Sequence, residues 1–366
     1  MSEATAAPVS AGIVGYGYAT KTFHAPLVQA AAGLRLAAVV TSGPAKLHAD
    51  WPDIEAIAEP AALFARGDIE LVVIATANDS HYALARQALE AGKHVVVDKP
   101  FTVTLAEARA LEALANERGR VLSVFHNRRW DGDFLTLRRE FAAGALGRVV
   151  HFESHFDRYR PEVRDRWRER HGPGAGLWFD LGAHLVDQAL QLFGAPEAIW
   201  LDTARQREGA AVDDWFHAVL RYGALRVVLH AGMVAAHLGP RFLVHGLAGS
   251  LVVHGLDPQE DALRAGARPG GPGWGVDARA FERTTVAAGD LRETQALRGE
   301  AGDYPAYYAA LAAAIRGEGA NPVPAAEAIA VMTLLELGLQ SAAARRELAV
   351  PAELPGYGAT FSISIL

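Results

Sequence analysis

The stretch GIVGYGYAT at positions 12–20 decides the fold of this chain, because it puts a glycine-rich turn directly after an apolar strand. Gly15 and Gly17 lie where the backbone must turn sharply and where a missing side chain lets a ligand approach. Sheets built from βαβ units bind the phosphates of a dinucleotide at such a turn. The third position of the G-x-G-x-x-G pattern is not glycine. Either Thr20 fills it and holds helix and strand further apart, or the small Ala19 makes the close contact.

Short apolar runs alternate with alanine-rich amphipathic segments from residue 10 to about residue 125, which is typical of repeated βαβ units. Helices are predicted at 79–91 and 104–118, because each begins near an Asp or Thr and ends before a glycine. The fold expected is α/β, a Rossmann-type doubly wound parallel sheet. Its predicted strands are 10–15, 35–40, 69–75, 93–97 and 121–125.

A second kind of pattern begins after about Gly147, with longer alternating runs and tight glycine turns. It predicts an α+β domain with an open-faced, mainly antiparallel sheet. Residues 257–289 are rich in Gly, Pro and Arg and predict a long loop. Whether this loop acts as a lid stays an open question at this point. Predicted strands are 149–157, 217–220, 226–231 and 242–245, and predicted helices are 177–193, 304–315 and 325–344.

The domain boundaries follow from this change of pattern. We predict a dinucleotide-binding domain over 1–125, a domain for substrate binding and oligomerisation over 126–356, and a tail or edge strand over 357–366.

The composition excludes several classes of protein. With 366 residues, 51% of them hydrophobic, the chain can bury a large interior, and its net charge of -7 argues against nucleic acid or an anionic membrane as a partner. The absence of cysteine excludes disulfides, thiolate metal sites and cysteine nucleophiles. The N-terminal MSEATAAPVS has no apolar signal region, and no later stretch approaches the roughly 18 apolar residues of a membrane span. We therefore expect a soluble, cytoplasmic protein.

In the stretch Val97-Asp98-Lys99-Pro100, a lysine follows the predicted strand 93–97. The strand is β-branched and uninterrupted, so it suits a buried parallel strand, and Lys99 leaves the sheet at the edge where such folds do their chemistry. The alternative is an ordinary solvated loop lysine.

The end of the second strand bears on the choice of cofactor. A site that prefers NAD usually offers an acid to the ribose there, but this chain has Thr41 and Ser42, with Lys46 soon after. Two hydroxyls and one positive charge favour the 2'-phosphate of NADP over NAD. The alternative is that these residues only cap a helix.

A polar stripe runs along the predicted helix 177–193, because Asp180, His184, Asp187 and Gln191 follow helical spacing. A histidine one turn from an aspartate can exchange protons near neutral pH, and the glycines of 172–176 let a ligand come close. The stripe has an alternative as the solvated face of an amphipathic helix. The same side chains could hold a divalent metal, but hydride transfer does not require one and we predict no metal.

Five motifs occur in order along the chain: GYG at 15–17, ATAN at 75–78 with His81, DKP at 98–100, WR at 167–168, and GAG at 174–176 followed by Asp180 and His184. Together they resemble the Gfo/Idh/MocA oxidoreductases, over nearly the whole chain. Two positions depart from the family pattern. Asp98 stands where Glu is commoner, which is one methylene longer, and Ala77 stands where Pro is usual.

Longer stretches resemble one branch of that family, which contains NADP-dependent scyllo-inositol dehydrogenases: YATKTFHAP at 18–26, VDKPFTVT at 97–104, VFHNRRW at 124–130 and ESHFDR at 153–158. The resemblance implies a cyclic polyol, or its ketone, bound in the cleft between the two domains. It also implies self-association through the sheet face, with a dimer as the first expectation. The complete set of predicted cofactor-binding residues is Gly15, Gly17, Tyr18, Ala19, Thr41, Ser42, Lys46, Thr76, Asn78, His81, Asp98, Lys99, Trp167 and Arg168.

The reaction expected is the interconversion of a secondary alcohol and a ketone. Lys99 would stabilise charge on the substrate oxygen, His184 would take the proton because histidine's ordinary pKa of about 6.5 is near the working pH, and Asp180 would orient either partner. The roles of lysine and histidine are not separable from sequence. Predicted substrate contacts, each with structural hydrogen bonding as the alternative, are Asn127, Arg129, His155, Asp157, Tyr159, Asp180 and His184.

Two other functions stay open at this point. One keeps the enzyme class and changes the substrate to an aldose or sugar derivative. The other is a non-catalytic NADP-binding regulatory protein, which would be favoured by loss of the lysine or histidine, although both are present.

Overall fold

The computed structural model describes residues 7–165, 169–170, 172–287 and 291–357. By their contacts the residues form two compact units, and each unit is discontinuous in sequence. Unit 1 comprises Met1–Trp130, Pro258–Trp274 and Asp303–Ala328, and unit 2 comprises Asp131–Asp257, Gly275–Gly302 and Ile329–Leu366. Two segments that the sequence pattern assigns to the second domain therefore cluster with the first.

Unit 1 is built on a parallel sheet of six strands among the described residues, in the order β3-β2-β1-β4-β5-β6. This is the doubly wound order, in which the direction of winding reverses between β1 and β4. The predicted Rossmann-type fold is confirmed, and one short strand, β3, was missing from the prediction. The strands are β1 (Val9–Val14), β2 (Leu34–Val40), β3 (Glu55–Ile57), β4 (Leu71–Ile74), β5 (His94–Val97) and β6 (Leu122–Val124).

Unit 2 is built on a sheet of nine strands in the described chain, in the order β14-β13-β12-β11-β7-β10-β9-β8-β15. Neighbouring strands are antiparallel except for β10 and β7. This confirms the predicted antiparallel character. The strands are β7 (Val149–His155), β8 (Ala198–Ala204), β9 (Trp215–Tyr222), β10 (Leu225–Gly232), β11 (Phe242–Gly246), β12 (Gly249–Val253), β13 (Ala280–Val286), β14 (Arg292–Arg298) and β15 (Leu348–Ala349).

The predicted helices are present, but two begin with a turn of another kind. A 3-10 turn at Asn78–Ser80 precedes the fourth helix, and a π-helical turn at Trp178–Gly182 precedes the seventh. The α-helices are α1 (Ala25–Ala30), α2 (Pro44–Asp50), α3 (Pro60–Phe64), α4 (His81–Glu90), α5 (Leu105–Arg118), α6 (Gly132–Ala142), α7 (Ala183–Phe193), α8 (Gln259–Arg264), α9 (Pro305–Ile315) and α10 (Ala325–Ala344).

Local sequence explains the limits of α5. The Thr104 side chain accepts a hydrogen bond from the Glu107 amide, and the Glu107 side chain accepts one from the Thr104 amide, which closes a capping box. Gly119 ends the helix in the left-handed conformation at φ +60°. The predicted helix over 104–118 therefore holds, with Thr104 as its cap.

The loop predicted over 257–289 is wrong in part, because it contains regular structure. Helix α8 belongs to unit 1, and strand β13 pairs with β12 and β14 in unit 2. The glycine-rich stretch between them dominates the local composition, and the short alternating pattern of β13 was therefore not recognised as a strand. The tail or edge strand predicted over 357–366 lies outside the described residues, except for Tyr357.

Aromatic packing explains why the distant segment 303–328 joins unit 1. Phe125, just after β6, contacts the rings of Tyr307 and Tyr308 at centroid distances of 5.1 and 5.8 Å. The Tyr307 hydroxyl also donates to Ser123 Oγ at 2.9 Å. All three rings are buried. The last strand of the sheet is thus covered by helix α9.

Helix α10 meets the length and composition of a membrane span, which the sequence analysis did not anticipate. About 61% of its apolar window is nevertheless buried inside the protein. The buried Trp178 indole donates to the Leu335 carbonyl at 3.0 Å. These contacts identify α10 as a core helix.

The two faces of the unit 2 sheet differ. Arg241 donates to Ser154 Oγ on β7 at 2.6 Å and to Gln188 Oε1 on α7 at 2.8 Å, so the Ser154 side of β7 faces α7. Side chains alternate along a strand, so His151, Glu153 and His155 lie on the opposite side. We call that side, with the residues in register on neighbouring strands, the outer face.

Candidate functional site

The carboxyl ends of β1, β4 and β5 bring three sequence motifs together at one edge of the unit 1 sheet. The loop of residues 15–20 follows β1, residues 75–78 follow β4, and residues 98–100 follow β5. Because β1 and β4 are the strands at which the winding reverses, this edge is where a doubly wound sheet binds its ligand. The three motifs therefore lie at one edge of the unit 1 sheet.

Two glycines shape the first of these loops. Gly15 has φ +98°, and a Cβ there would lie 2.7 Å from the Ala75 carbonyl oxygen. At Gly17 a Cβ would meet no atom within 4 Å, and its φ lies outside the left-handed region. The protein's own packing therefore explains Gly15 but not Gly17, and the open approach to Gly17 fits a dinucleotide phosphate.

Thr20 resolves the question left by the third motif position. Its hydroxyl donates to the Gly15 carbonyl at 2.7 Å, and the side chain is fully buried. The threonine thus ties the helical turn at 20–24 to the glycine loop, in place of a close contact through glycine. Ala19 precedes this turn and has no such bond.

The residues after β2 are those predicted to bind the 2'-phosphate of NADP. Thr41 Oγ1 accepts a hydrogen bond from the Gly43 amide at 3.0 Å, which supports the alternative of a local turn. Its hydroxyl proton stays available to a ligand, since accepting a bond does not use it. Ser42 and Lys46 are exposed.

His81 links the second loop to the third. Its Nδ1 lies 3.0 Å from the Pro100 carbonyl and its Nε2 lies 3.3 Å from the Thr76 carbonyl. Thr76 Oγ1 in turn contacts Ser80 Oγ at 2.6 Å, and Asn78 is buried. Because its ring nitrogens face backbone carbonyls of both loops, His81 holds the second and third loops together.

Asp98 is buried beneath Lys99. Its Oδ1 accepts the Lys99 amide at 2.8 Å, and its Oδ2 lies 3.8 Å from His24 Nε2. Burial by itself would raise the pKa of Asp98, but the hydrogen bond and charge of His24, with the charges of Lys99 and His81, hold it at about 2. The group is therefore a carboxylate at neutral pH.

The partner of that carboxylate is itself fixed by a tyrosine. Burial raises the pKa of Tyr308 well above its usual range, so its hydroxyl keeps the proton, and its oxygen lies 2.6 Å from His24 Nδ1. The other ring nitrogen of His24, Nε2, faces the Asp98 carboxylate. A chain from Tyr308 through His24 to Asp98 thus fixes the backbone at the half-buried Lys99.

Tyr18 is engaged with helix α8. Its hydroxyl donates to Glu260 Oε1 at 2.8 Å, and Glu260 Oε2 accepts from Arg128 Nη2 at 2.7 Å. Burial and then the charge of Glu260 raise the pKa of Tyr18 to about 12. About half of the Tyr18 side chain stays exposed, so its ring face can still meet a ligand.

In unit 2, the polar stripe on the helix is not solvated. His184 and Asp187 are buried, with 5% and 2% of their surface exposed, and only Asp180 and Gln191 are half-buried. The alternative of a solvated helix face is therefore wrong for these two residues. Buried polar groups on an otherwise apolar helix have a specific use.

A glycine and a buried aspartate hold the start of this helix. Gly176 has φ +96°, and a Cβ there would lie 2.0 Å from Asp213 Oδ1. Asp213 Oδ2 accepts the Trp178 amide at 2.7 Å. Burial raises the pKa of Asp213, opposed by the hydrogen bonds of the nearby amides. The glycine motif therefore lets Asp213 cap the turn that carries Asp180.

A pocket open to solvent lies beside Asp180 in unit 2. Arg158, Arg160 and Arg207 line it together with carboxylates, among them Glu169. The arginine-rich segment of residues 158–170 also contains three acids of its own, Glu162, Asp165 and Glu169. The predicted residues Trp167 and Arg168 lie outside the described residues.

Of the predicted substrate contacts, Asn127 and Arg129 belong to unit 1 and the others belong to unit 2. Arg129 is buried with its guanidinium 2.5 Å from Glu327, which favours structural hydrogen bonding, and Asn127 is buried in a 3-10 turn. His155 and Asp157 lie on the outer face, away from the side of the sheet that faces His184. Tyr159 is 61% exposed. Asp180 lies in the π-helical turn before α7, and His184 lies in the first turn of α7.

Sequence reasoning missed the supporting residues. His24 stood in a quoted motif without a role, and Tyr308 stood in a predicted helix. Asp213 had no signal other than its position beside a second acid. Their contacts join residues far apart in sequence, so periodicity could not find them.

The two halves of the chain match family models. Residues 9–126 match the NAD-binding Rossmann fold of the Gfo/Idh/MocA oxidoreductase family, and residues 138–350 match that family's C-terminal alpha/beta domain.

Relatives extend over nearly the whole chain. An uncharacterized oxidoreductase, YdgJ of Escherichia coli, is 55% identical over 93% of this chain and 98% of its own length. The scyllo-inositol 2-dehydrogenase (NADP(+)) IolW of Bacillus subtilis is 39% identical over 92% and 95%. A solved structure, the YPO2259 putative oxidoreductase from Yersinia pestis, has a TM-score of 0.92 at 52% identity and covers 95% of this chain and 99% of its own. The chain therefore belongs to the Gfo/Idh/MocA oxidoreductase family.

Proposed function

We propose that this oxidoreductase transfers a hydride between NADP and a cyclic polyol, scyllo-inositol or a similar inositol, and so interconverts a secondary alcohol and a ketone. The observation that carries the proposal is the position of Lys99 at the carboxyl end of β5, at the ligand-binding edge of the sheet. The similarity to a scyllo-inositol dehydrogenase supports the substrate class.

The cofactor fits the residues of unit 1. Gly17 leaves open space beside the first loop, and the exposed Ser42 and Lys46 with Thr41 suit a 2'-phosphate. When bound, the dinucleotide supplies the nicotinamide ring that exchanges the hydride.

Three side chains of this chain act on the substrate in the proposal. The Lys99 ammonium stabilises negative charge at the reacting oxygen. The imidazole of His184 takes the hydroxyl proton during oxidation and returns it during reduction. Asp180, one turn earlier, orients His184 or a substrate hydroxyl. The chain from Tyr308 to Asp98 holds the Lys99 backbone in place.

The test is a screen of the purified protein. NADP and NAD are each offered with a panel of inositols and a panel of aldoses, and the reduced-nicotinamide absorbance is followed. We expect turnover with NADP and an inositol. Turnover with aldoses alone would replace the substrate, and no turnover on any polyol or sugar would contradict the proposed reaction and favour a regulatory role.

Two variants test the catalytic roles. Lys99→Met and His184→Asn should each lower kcat by about 100-fold or more while NADPH still binds, as measured by fluorescence titration. The exposed His237→Asn serves as the control and should keep full activity. Full turnover in either of the first two variants would remove that residue from the mechanism.

One variant tests the preference for NADP. Lys46→Ala should raise the Kd of NADP on the order of 10-fold, because it removes a charge from the 2'-phosphate. The Kd of NAD should not change, since NAD lacks that phosphate. An equal effect on both would place Lys46 elsewhere.

We further propose that two copies associate through the outer face. A largely apolar row crosses five neighbouring strands on this face. Its members lie in register: Trp200 on β8, Val219 on β9, Val228 on β10, Glu153 on β7 and Leu243 on β11. Such a row favours burial against another copy. Light scattering should give twice the chain mass of 39.0 kDa, and Val219→Asp should shift it to the monomer. A monomeric native protein would contradict this.

The cytoplasmic location stays a prediction that fractionation of cells would test.

A further inference from the structure

We infer that His155, Asp157 and His230 form a mononuclear binding site for a divalent transition metal, Zn²⁺ above all, on the outer face of unit 2. One ligand atom from each residue lies within 4.8 Å of the other two. From the sequence we predict no metal, and the helix stripe of Asp180, His184 and Asp187 is the one donor set that the sequence suggests. The present cluster is a different set of side chains on the other side of the sheet.

The strands bring the three side chains together by register. His155 ends β7 and Asp157 follows two residues later, so both side chains point to one face of the extended chain. His230 on β10 pairs with His155 across the parallel ladder. The cluster is thus fixed by backbone pairing rather than by flexible loops.

The distances suit a metal. His155 Nδ1 lies 3.8 Å from Asp157 Oδ2, and His230 Nε2 lies 3.4 Å from Asp157 Oδ1. Ligands at about 2.0–2.1 Å from a tetrahedral Zn²⁺ lie roughly 3.3 Å from one another. Two imidazoles and one carboxylate are a donor set that Zn²⁺ favours, and three protein ligands leave a fourth position for water or a small ligand.

Outer partners already orient both imidazoles. His155 Nε2 lies 2.7 Å from Glu153 Oε2, so its other nitrogen, Nδ1, is left facing Asp157. His230 Nδ1 lies 3.4 Å from His217 Nδ1, which leaves its Nε2 facing the same carboxylate. A carboxylate behind a ligating histidine is the usual support of a zinc site, because it fixes the ring and raises its basicity.

Burial of the Asp157 carboxylate favours the binding of a cation beside it. The side chains of His155, Asp157 and His230 are only 20%, 12% and 18% exposed. Within the part of the chain that the structure describes, Asp157 Oδ1 is inaccessible to solvent and accepts no hydrogen bond. Gly232 leaves room there, since a Cβ would lie 3.5 Å from that oxygen and 3.9 Å from His230 Nε2. A metal ion would satisfy an oxygen that is otherwise buried without a partner.

The experiment measures metal binding on the full chain. The protein is stripped with a chelator and titrated with Zn²⁺, and separately with Co²⁺, whose visible absorption reports coordination geometry. We expect one Zn²⁺ per chain, a tetrahedral Co²⁺ spectrum, and a higher melting temperature in excess Zn²⁺. Asp157→Asn and His230→Gln should each weaken binding by at least 100-fold.

Matched variants separate this site from surface binding. His245→Gln removes another outer-face histidine, bonded to Ser250, and should leave Zn²⁺ affinity unchanged. Glu153→Gln keeps all three ligands but removes the support of His155, and should weaken binding about 10-fold. Because Glu153→Gln preserves shape, it keeps the test meaningful if a ligand variant fails to fold.

The proposal is overturned if native protein binds no Zn²⁺ at micromolar concentration, or if His230→Gln and His245→Gln bind it equally. The site does not rest on the proposed function, so loss of polyol turnover and loss of metal binding are separate outcomes.

Discussion

At the scale of single residues, Gly15 and Gly17 are required for different reasons. The left-handed φ of Gly15 and the nearby Ala75 carbonyl exclude a side chain whatever the ligand. Gly17 has neither constraint. Only a ligand approaching the backbone explains it.

We therefore expect Gly17→Val to raise the Kd of NADP at least 10-fold, because the side chain would fill the space for the phosphate, while the melting temperature stays within a few degrees of native. Gly15→Ala should instead lower stability by about 1–3 kcal/mol. Calorimetry and cofactor titration measure the two effects. Native cofactor affinity in Gly17→Val would remove the loop from the binding site.

His81 predicts a pH dependence. Burial lowers the pKa of His81, only partly offset by the charge of Asp98. A histidine whose pKa falls on folding binds its proton more tightly in the unfolded chain, so the folded state loses stability as pH drops below about 6.5. The melting temperature of His81→Gln should thus fall less than that of the native protein between about pH 7.5 and pH 5.5. The exposed His48→Gln should follow the native protein, and an unchanged pH dependence in His81→Gln would contradict the assignment.

At the scale of elements, one buried ion pair fastens the arginine-rich segment to the sheet of unit 2. Arg207 Nε donates to Asp214 Oδ2 at 2.9 Å, and its Nη1 donates to the carbonyls of Arg160 and Glu162 at 3.3 and 3.1 Å. The side chains of Arg207 and Asp214 are 3% and 1% exposed. The backbone of this segment is thus bound by the buried Arg207 guanidinium.

Arg207→Met should cost about 3–5 kcal/mol, because it leaves the Asp214 carboxylate buried without its cation. Urea unfolding followed by tryptophan fluorescence measures the loss. Arg221→Met removes an arginine that pairs with Glu197 and Glu347 at the surface, and the urea midpoint should barely move. Equal effects of the two variants would show that burial does not matter to this pair.

At the scale of the whole molecule, neither compact unit is a continuous piece of chain. Unit 1 takes the rings of Tyr304, Tyr307 and Tyr308 from a segment that follows most of unit 2 in sequence. Phe23 packs against Tyr304 at a centroid distance of 6.1 Å, and Phe125 packs against Tyr307 and Tyr308 at 5.1 and 5.8 Å.

A fragment of residues 1–130 should therefore lack a cooperative thermal transition, because β6 and the loop after β1 would expose their aromatic partners to water. Circular dichroism during heating measures this. In the full chain, Tyr307→Ala should lower stability by about 3–5 kcal/mol for the same reason. A fragment that melts cooperatively near the native temperature would show that segment 303–328 is dispensable.

The sequence alone determined the parts of the protein that depend on local pattern. Alternating apolar strands and amphipathic helices, the glycine turn after β1 and the lysine after β5 predict the doubly wound sheet and its ligand-binding edge, because periodicity and turn chemistry act between near neighbours.

Tertiary structure alone decided what lies behind those motifs. The histidine under Asp98, the tyrosine that holds it, the aspartate that caps the turn before α7 and the histidine cluster on the outer face all join residues from separate strands and helices. Their contacts depend on sheet register and on burial, which bring distant residues together without leaving a local signal. The opposite faces taken by His155 and His184 are decided in the same way, by how strands and helices pack.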